Sequence, residues 1–545
     1  MTNYAFQSLL DFTRTTSGTF VGNNGLIQNT PASVNLLTYS QEFDNAAWTK
    51  TNATITANAT TAPDGTLTAD KLVENTVNTS HYVVQAAGTV GNTETFSVYA
   101  KAAERTWAYM SAGAGVSVYF DLQNGVQGTR TGGISASISA AGNGWYRCSF
   151  TVTRATNTNN IVATATSNGG LGYTGDGTSG IFVWGAQLQT GSTATDYTRN
   201  NGGVYPARFD YDPATLQPKG ILIEEQRVNY LLGVRNFDPT VTTGWSTSGD
   251  AAATFTVVTD TAALAAAGLS GICANAQVYR LNNTAGTTNA FVRVTTALTM
   301  STDTWSFSAY VRGTGVCNID VNAGTWTGAG SFALSANYTR RVSTSTTSVS
   351  TNQYRLWATA GSDVYFILMQ AEIGAFATSV IPITGASQVT RTADQCTITA
   401  PMFAPWYNQT QGTFVATFDT FAAGGSFNIW VSAATDSTPS GRIVIGGNPA
   451  SGRGFVFASA ATQADMLNGT ITNNATIKSA LAFTTNDFAF STNGLAPTVD
   501  TSGTLPTPDR LSLGQFNGTF INGHIRFIQY YPVRLADFQL QALTA

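Results

Sequence analysis

Hydrophobic and polar residues alternate with a period of two wherever the chain can be assigned to an element. Residues 96–101 (Phe-Ser-Val-Tyr-Ala-Lys) and 414–418 (Phe-Val-Ala-Thr-Phe) are examples. This period predicts β-strands with one buried face. Turn pairs such as Asn143-Gly144 and Asn517-Gly518 separate the strands. Helical spacing is found at residues 535–543 and, more weakly, in the alanine-rich stretch 261–269, so an all-β fold is predicted.

A long segment of the chain occurs twice in diverged form. The first copy opens with Val-Asn-Leu-Leu at 34–37, and the second opens with Val-Asn-Tyr-Leu-Leu at 228–232. Both then carry a similar strand, Thr-Phe-Ser-Val-Tyr-Ala-Lys at 95–101 and Ser-Phe-Ser-Ala-Tyr-Val-Arg at 306–312. The spacing between matching pieces varies, which excludes a solenoid and indicates two related modules with different loops. Repeated β-modules favour binding or assembly over catalysis.

At 545 residues the chain should contain several domains. We predict a first module at residues 35–200 (module one), a second at 228–395 (module two) and a third unit at 396–545. Residues 1–34 and 201–227 are predicted to form a small split platform domain, with module one inserted at an exposed loop, where insertion costs little.

Charged residues make up only 10% of the chain, so Thr, Ser, Asn and Gly must supply most of its surface. The net charge is −4, and the basic residues are scattered. Nucleic-acid binding requires a basic stripe, so the composition argues against it. A neutral ligand, or one presented at high density, is expected.

The first residues lack the basic and apolar regions of a secretory signal, and no stretch approaches the ~20 apolar residues of a membrane span. The four cysteines form no CxxC pair, which excludes zinc and thioredoxin-like motifs. Cys148 alternates with Phe150 and Val152 as a buried strand residue would. Four free core cysteines are expected; a Cys273–Cys317 disulfide is the alternative.

No catalytic or metal-binding residues are predicted. The two histidines, His81 and His524, fall in different predicted domains, and no nucleophile, metal or phosphate motif accompanies them. Glu224 and Glu225 form the densest acidic spot, but adjacent strand residues point to opposite faces. They are expected to pair with Arg208 or Arg227. The chain is therefore predicted not to be an enzyme.

Three sets of residues resemble known families. Residues 207–213 (Ala-Arg-Phe-Asp-Tyr-Asp-Pro) with 219–227 (Lys-Gly-Ile-Leu-Ile-Glu-Glu-Gln-Arg) resemble a segment of tailed-bacteriophage structural and fibre proteins. Module one resembles carbohydrate-binding-module-type jelly rolls at 143–147 and 184–188, where module two departs from the pattern. Residues 396–545 resemble concanavalin A-like (laminin-G-like) sandwiches, most specifically at 522–535.

This resemblance implies tandem β-sandwich or jelly-roll domains in a phage virion protein. The expected role is a non-enzymatic tail fibre or spike that contacts host surface polysaccharide and other virion proteins, as a homo-oligomer guessed to be a trimer. It would be made in the host cytoplasm and lie on the particle's exterior. The alternatives are a structural head-decoration, collar or tail assembly protein and, further behind, a polysaccharide depolymerase. Laminin-G-like domains often bind calcium, but no Asp-rich loop of this chain supports a calcium site, and no cofactor is expected.

Glycan binding needs flat aromatic rings, against which the C–H faces of sugars pack. Exposed-looking aromatic residues are the candidate ligand-binding positions, and core packing is the alternative for each tryptophan. The candidates are Trp107, Tyr109, Trp145, Tyr146, Trp326, Trp406 and Tyr407. Trp48, Trp184, Trp245 and Trp305 are assigned to the cores.

Overall fold

The computed structural model describes residues 11–30, 35–113, 115–155, 158–203, 205–231, 245–273, 275–295, 303–322, 326–328, 330–346, 353–383, 388–421, 429–435, 440–447 and 451–545. Most regular structure in these residues is antiparallel β-sheet in tandem sandwiches, so the predicted all-β fold is confirmed. Three short helices occur among them, namely Thr261–Ala266 (α1), Ala400–Phe403 (α2) and Asp537–Thr544 (α3). Both stretches with helical spacing therefore contain a helix.

Module one is a sandwich of two six-stranded sheets. Three short strands precede it along the chain, namely β1 (Asp11–Thr13), β2 (Thr19–Val21) and β3 (Ile27–Asn29). The strands of module one are β4 (Thr49–Thr51), β5 (Ala53–Thr60), β6 (Ala69–Glu74), β7 (Asn78–Thr79), β8 (Tyr82–Ala86), β9 (Thr93–Ala102), β10 (Trp107–Ser111), β11 (Ser117–Asp121), β12 (Val126–Thr131), β13 (Ser135–Gly142), β14 (Trp145–Thr153), β15 (Asn159–Ala165), β16 (Tyr173–Thr174) and β17 (Gly180–Thr190). Sheet 1a has the order β12-β11-β10-β15-β8-β4, and sheet 1b has the order β13-β14-β9-β17-β6-β5. The alternation read in the sequence places Phe96 and Val98 of β9 in the core between the sheets.

Module two follows the connector strands β18 (Arg208–Tyr211), β19 (Pro218–Ile223) and β20 (Arg227–Asn229). Its strands are β21 (Ser246–Gly249), β22 (Thr254–Thr259), β23 (Gln277–Asn283), β24 (Ala290–Thr295), β25 (Thr304–Thr314), β26 (Val316–Asn322), β27 (Trp326–Gly328), β28 (Phe332–Ala333), β29 (Thr339–Thr346), β30 (Gln353–Ala358) and β31 (Ser362–Ile373). Sheet 2a has the order β27-β26-β30-β24-β21, and sheet 2b has the order β29-β25-β31-β23-β22.

The two modules share one topology. Read across the sheets, β26, β30, β24 and β21 of sheet 2a take the places of β10, β15, β8 and β4 in sheet 1a. The signature strands β9 and β25 lie at matching central positions in sheets 1b and 2b. The sequence repeat is therefore a repeat of fold.

The rest of the chain forms a sandwich of two seven-stranded sheets. Its strands follow β32 (Val389–Arg391) and are β33 (Gln395–Ile398), β34 (Gln411–Phe418), β35 (Ile429–Thr435), β36 (Arg442–Gly447), β37 (Gly452–Ala458), β38 (Ala461–Asn468), β39 (Ile477–Thr484), β40 (Asp487–Thr492), β41 (Thr498–Asp500), β42 (Arg510–Leu513), β43 (Gln515–Phe516), β44 (Thr519–Phe520) and β45 (Gly523–Tyr531). The sheet orders are β1-β33-β42-β35-β36-β37-β38 and β18-β19-β45-β34-β39-β40-β41.

The segments predicted to form a separate platform domain mostly join this C-terminal sandwich. Strand β1 pairs with β33, and β19 pairs with β45, so the N-terminus and the connector extend the two sheets at their edges. Only β2 and β3 pair with each other in a two-stranded sheet. Backbone pairing across the sequence, which no local pattern reveals, decides where these short strands belong.

A buried ion cluster ties the connector to the end of module two. Arg14 Nη1 lies 2.9 Å from Asp394 Oδ1, and Arg208 Nη1 lies 2.8 Å from Glu224 Oε2. Arg208 also pairs with Asp394, and Arg391 Nη1 lies 3.4 Å from Glu224. All five side chains are 0% exposed. The predicted pairing of Glu224 with Arg208 is confirmed.

All four cysteines, Cys148, Cys273, Cys317 and Cys396, are buried, and no two of them form a disulfide. The expectation of core thiols is confirmed, and the alternative Cys273–Cys317 disulfide is wrong. Cys148 lies in the core of module one, as its alternation in β14 predicts.

Candidate functional site

Part of the outer face of sheet 1b, around Trp145 and Trp184, is covered by the chain itself. Trp145 and Trp184 point away from the sandwich core, but they form a second cluster with Ala62, Ala69 and the ring of Tyr197. Trp145 is 1% exposed. Its indole Nε1 donates to a backbone carbonyl, Thr61 O, at 3.0 Å. Trp145 was predicted to bind ligand; it instead packs under a loop.

The outer face of sheet 2b is covered in the same way. Leu264 of α1 and Leu269 form a cluster with Ile367 and Leu368 of β31. Ile27 of β3 joins this cluster. In both modules, therefore, one sheet uses its two faces for packing.

Sheet 1a differs because its outer face carries half-buried aromatic rings that belong to none of the core clusters among the described residues. Their strand neighbours Val83, Ala108, Met110, Val118 and Phe120 are buried in the core. Since strand residues alternate, the rings point outward. We call this set the first aromatic face; it comprises Tyr82, Trp107, Tyr109 and Tyr119.

Register aligns three of these rings across the sheet. Tyr109 of β10 lies opposite Tyr119 of β11 on one side and Ala163 of β15 on the other, and Ala163 lies opposite Tyr82 of β8. The Tyr109 and Tyr119 ring centroids are 5.0 Å apart, with planes at 63°. Four strands span about 14 Å at ~4.8 Å per spacing, so the rings form a row long enough for several sugar units. Ala163 is fully buried beneath them.

Trp107 is set beside this row by a glycine. Gly128 lies on β12, which has a register shift opposite β11. A Cβ on Gly128 would lie 2.8 Å from Cζ3 of Trp107 and 2.6 Å from Oδ1 of Asn168, so only glycine leaves room for both side chains. Asn168 Oδ1 accepts the Thr129 backbone N–H at 2.8 Å. The face thus combines rings with amide and hydroxyl groups.

Sheet 2a also presents rings on its outer face. Phe291 of β24 lies opposite Trp357 of β30, and their centroids are 6.1 Å apart. Arg293 and Arg355 lie opposite each other, two residues along the same strands. We call these four residues the second aromatic face. They are half-buried, while the alternate positions, such as Val292 and Leu356, pack in the core.

Among the other predicted ligand-binding residues, Tyr146, Trp406 and Tyr407 do not join either face. Tyr146 is half-buried and packs against the core of module one. Trp406 donates Nε1 to Met402 O at 2.6 Å and lies 5.3 Å from the Tyr530 ring. Tyr407 stacks at 5.3 Å on the same Tyr530 ring and packs against the sandwich core. The Trp326 side chain lies outside the described part of the chain. Of the six candidates whose side chains the structure describes, Trp107 and Tyr109 share the first aromatic face, whereas Trp406 and Tyr407 contact each other at the core of the C-terminal sandwich.

Sequence reasoning missed Tyr82, Tyr119, Phe291 and Trp357. A usable signal existed for Tyr119, because residues 117–121 read Ser-Val-Tyr-Phe-Asp and place the tyrosine out of phase with Val118 and Phe120. No such signal shows that neighbouring strands align these rings.

Both histidines are held by the fold. His524 Nε2 lies 2.8 Å from Asp210 Oδ2, and Nδ1 lies 2.8 Å from Asp419 Oδ1. Although burial opposes it, hydrogen bonding to Asp210 and Asp419 raises the pKa of His524 above its usual value. His81 is fully buried, with Nδ1 2.8 Å from the carbonyl oxygen of Asn52.

Acidic side chains line two cavities. One of about 440 Å³, between module one and the C-terminal sandwich, is lined by Asp70 and Glu42. Burial raises the pKa of Asp70 to about 7. The backbone N–H groups of Asn58 and Phe43, each 2.9 Å from an Asp70 oxygen, donate hydrogen bonds that partly oppose this rise. Glu42 pairs with Arg199 at 2.5 Å. Backbone amides thus occupy both Asp70 oxygens, as in a structural carboxyl group.

The other cavity, of about 490 Å³, lies where the connector, module two and the C-terminal sandwich meet, and Glu224 and His524 line it. Glu224 accepts hydrogen bonds from Ser379 N at 2.7 Å and Ser379 Oγ at 2.6 Å. Although burial opposes it, the charges of Arg391 and Arg208 lower the pKa of Glu224. These groups hold the junction together.

Among the residues that the structure places, His, Cys, Asp and Glu side chains form no group of three or more that could bind a metal ion. Within the same residues, no helix has the length and apolar character needed to cross a membrane.

No known family matches the chain, and no curated protein matches it. Among solved structures, the CBM40 module of Ruminococcus gnavus IT-sialidase shares 18% identity at a TM-score of 0.22, covering 25% of this chain and 84% of its own. The tandem CBM22 domain of Paenibacillus barcinonensis Xyn10C shares 11% identity at a TM-score of 0.24, covering 63% of this chain and 99% of its own. Domains LG4-5 of mouse laminin α1 share 8% identity at a TM-score of 0.20, covering 43% and 84%. Similarity this low assigns neither a family nor a ligand.

Proposed function

We propose that this chain is a non-enzymatic glycan-binding protein whose ligand lies along the first aromatic face. The observation that carries the proposal is the row of half-buried rings, Tyr82, Tyr109 and Tyr119 with Trp107 beside it, on the outer face of sheet 1a. An aligned row of partly exposed rings forms an apolar patch, and such patches mark interaction sites.

The chemistry of the face fits a neutral saccharide. Asp121 is its carboxylate, and that side chain is engaged by the turn that follows β11: it accepts the backbone N–H groups of Gln123 and Asn124 at 2.9 and 3.1 Å. The remaining polar groups near Trp107 are amides and hydroxyls, such as Asn168 and Thr129. Rings that stack on C–H faces and amides that bond to hydroxyls match an uncharged sugar chain.

The wider role we propose is that of a phage tail fibre or spike that contacts host surface glycans. The resemblance of residues 207–227 to phage structural proteins supports it. An oligomer would multiply weak sites, since linked sites gain ~10²–10⁴ in avidity. The absence of catalysis is part of the proposal.

A structural assembly role is the second candidate for the C-terminal sandwich. Phe538 of α3 is 72% exposed, and Phe527 of β45 is 47% exposed. Exposed phenylalanines on the C-terminal sandwich favour contact with another virion protein there.

The first test measures binding of the full chain to immobilised neutral polysaccharides while assaying the supernatant for new reducing ends. We expect binding without cleavage, and a loss of about tenfold or more in Trp107→Ala and Tyr119→Ala, because each removes a stacking ring. Phe538→Ala, which removes an exposed ring elsewhere, should bind like wild type. Thermal unfolding checks that each variant is folded. Cleavage that Asp70→Asn abolishes would replace this proposal with a depolymerase, and binding to none of the polysaccharides would favour assembly.

A further inference from the structure

Small hydroxyl side chains cover the part of the outer face of sheet 1b that no loop packs against. Outward positions of the neighbouring strands β13, β14 and β9 form three rows across the sheet. The rows are Ser135, Thr151 and Thr95, then Ser137, Ser149 and Ser97, then Ser139, Arg147 and Tyr99. A groove of about 310 Å³ lies over these rows, and none of the described residues that line it is acidic. We call it the hydroxyl groove.

Arg147 is the cation of the hydroxyl groove. Its Nη2 donates to Ser97 Oγ at 3.0 Å, and its guanidinium carbon lies 5.4 Å from the centroid of the Tyr99 ring. Most arginines that the structure describes instead form an ion pair, as Arg105 does with Glu74. Arg147 has no carboxylate partner among the described residues, so only a neutral hydroxyl and a ring face its charge.

The other outward positions of these strands do not supply a negative charge. Lys101, two positions along β9 from Tyr99, is the one other charged residue at an outward position of β9, β13 and β14. It lies opposite Trp145 and is also a cation. The local charge is therefore positive on a chain whose net charge is −4.

The repeat within the chain shows which kind of group completes this arginine. In module two Arg340 of β29 lies opposite Tyr310 of the signature strand β25, and its Nη2 donates to Ser308 Oγ at 3.0 Å. Arg340 Nη1 also donates to the carbonyl oxygen of Thr378 at 2.6 Å. Arg147 Nη1 has no acceptor among the residues that the structure places. A ligand oxygen can take, in module one, the position that the Thr378 carbonyl takes in module two.

The hydroxyl groups around Arg147 can bond to a polar ligand. Ser137 Oγ lies 2.9 Å from Ser149 Oγ, and Thr95 Oγ1 lies 2.8 Å from Thr151 Oγ1. A hydroxyl has one donor and two acceptor sites, so each of these pairs can still bond to another group. Unlike the first aromatic face, the groove thus offers hydroxyls and one cation to a ligand. This chemistry matches a polyhydroxylated ligand that carries an anionic group.

We propose that the hydroxyl groove is a second site of module one and that it binds an acidic saccharide unit. The carboxylate or sulfate group of that unit accepts a hydrogen bond from Arg147 Nη1, and its hydroxyls bond to Ser137 and Ser139. Arginine suits this task because its planar fork matches an oxyanion and remains charged at any physiological pH. The inference rests on the proposed glycan binding and extends it, with the neutral sugar chain on sheet 1a and the acidic unit on sheet 1b.

The test measures binding of the full chain to immobilised acidic polymers and to their neutral counterparts. Polygalacturonate is compared with a sample whose carboxyl groups have been reduced, and dextran sulfate is compared with dextran, which distinguishes carboxylate from sulfate ligands. We expect at least one acidic polymer to bind about tenfold tighter than its counterpart, because one charge-assisted hydrogen bond accounts for roughly that factor. This preference should shrink at high salt.

Variants assign the preference to Arg147. Arg147→Gln should remove it. Ser139→Asp changes the exposed position opposite Arg147 and should also remove it, because the new carboxylate pairs with the guanidinium group. Arg130→Gln is the matched control: it removes one positive charge from an exposed position on β12 of the other sheet and should retain the preference. Thermal unfolding checks that each variant is folded.

Three results would overturn the inference: equal binding of the acidic and neutral forms in both comparisons, a preference that Arg147→Gln retains, or an equal loss in Arg130→Gln. The outcome for the first aromatic face is separate. If the neutral polymers do not bind but an acidic polymer binds through Arg147, the proposal for the first aromatic face fails and the inference for the hydroxyl groove stands.

Discussion

Trp107 and Trp145 both point away from the core of module one, yet their surroundings differ. Trp145 lies under the loop that contains Thr61 and is 1% exposed, whereas Trp107 stays half-buried beside Gly128. Each tryptophan is the first residue of a strand with alternating residues, so local sequence indicates that both point outward or both inward. What covers a residue depends on segments far away along the chain, so the sequence does not separate Trp107, which lies on the first aromatic face, from Trp145, which lies under a loop.

The role of Gly128 gives a prediction at the scale of one residue. Gly128→Val should keep β12 in place, because valine favours strands, but its Cβ would collide with Trp107 and displace the ring. We expect about a tenfold loss of neutral-polysaccharide binding with little change in melting temperature. Gly172→Val is the matched control, since a Cβ there meets nothing within 4 Å. Unchanged binding in Gly128→Val would show that the position of Trp107 does not matter.

At the scale of strands, alternation predicted the elements well, because burial of one face leaves a direct trace in the sequence. The pairing of strands was harder. Strand β1 pairs with β33, far along the chain, and its three residues carry no signal for that partner. Short edge strands are held by backbone hydrogen bonds that any residue except proline can make, which is why the sequence could not predict that β1 and β19 extend the sheets of the C-terminal sandwich.

His524 lies between two carboxylates and gives a prediction of how stability depends on pH. It lies on β45 between Asp210 of β18 and Asp419, with Lys219 and Arg526 also near. Because its pKa is raised by folding, the stabilisation is complete below the unfolded value of about 6.5 and is lost as pH rises through the higher folded value.

We therefore expect the free energy of unfolding of wild type to exceed that of His524→Gln by the largest amount at pH 6. This difference should become progressively smaller toward pH 9. The difference should fall by at most about 1.4 kcal/mol per pH unit. Urea unfolding at several pH values measures it, and Asp70, whose raised pKa also lowers stability as pH rises, cancels in the comparison. A stability difference that grows with pH would contradict a raised pKa of His524 in the folded protein.

At the scale of the whole molecule, the C-terminal sandwich is the body that carries both modules. The chain contributes β1 to it, leaves to form module one, returns as β18 and β19, leaves to form module two, and returns at β33. Strands β20 and β32 pair with each other, so the two ends of module two lie side by side. Both modules are thus insertions in one sandwich, with the buried ion cluster at the junction.

Removing one charge from that cluster should destabilise the sandwich strongly. Asp394→Ala leaves Arg14 and Arg208 buried without their shared carboxylate, which typically costs ~3–5 kcal/mol. Asp465→Ala, which breaks a pair with Arg453 on an exposed strand, is the matched control and should cost under about 1 kcal/mol. Urea unfolding of both variants measures this, and equal effects would show that the cluster does not hold the junction.

Construction from three separated stretches also sets the order in which the protein forms during synthesis. Arg14 and Asp394 are 380 residues apart, so at ~5–20 residues per second the N-terminal strand waits roughly 20–80 s on the ribosome for its partner. Both modules are continuous and can close in that interval. The binding units are then complete before the sandwich that carries them, and β1 remains an unpaired strand until the last quarter of the chain emerges.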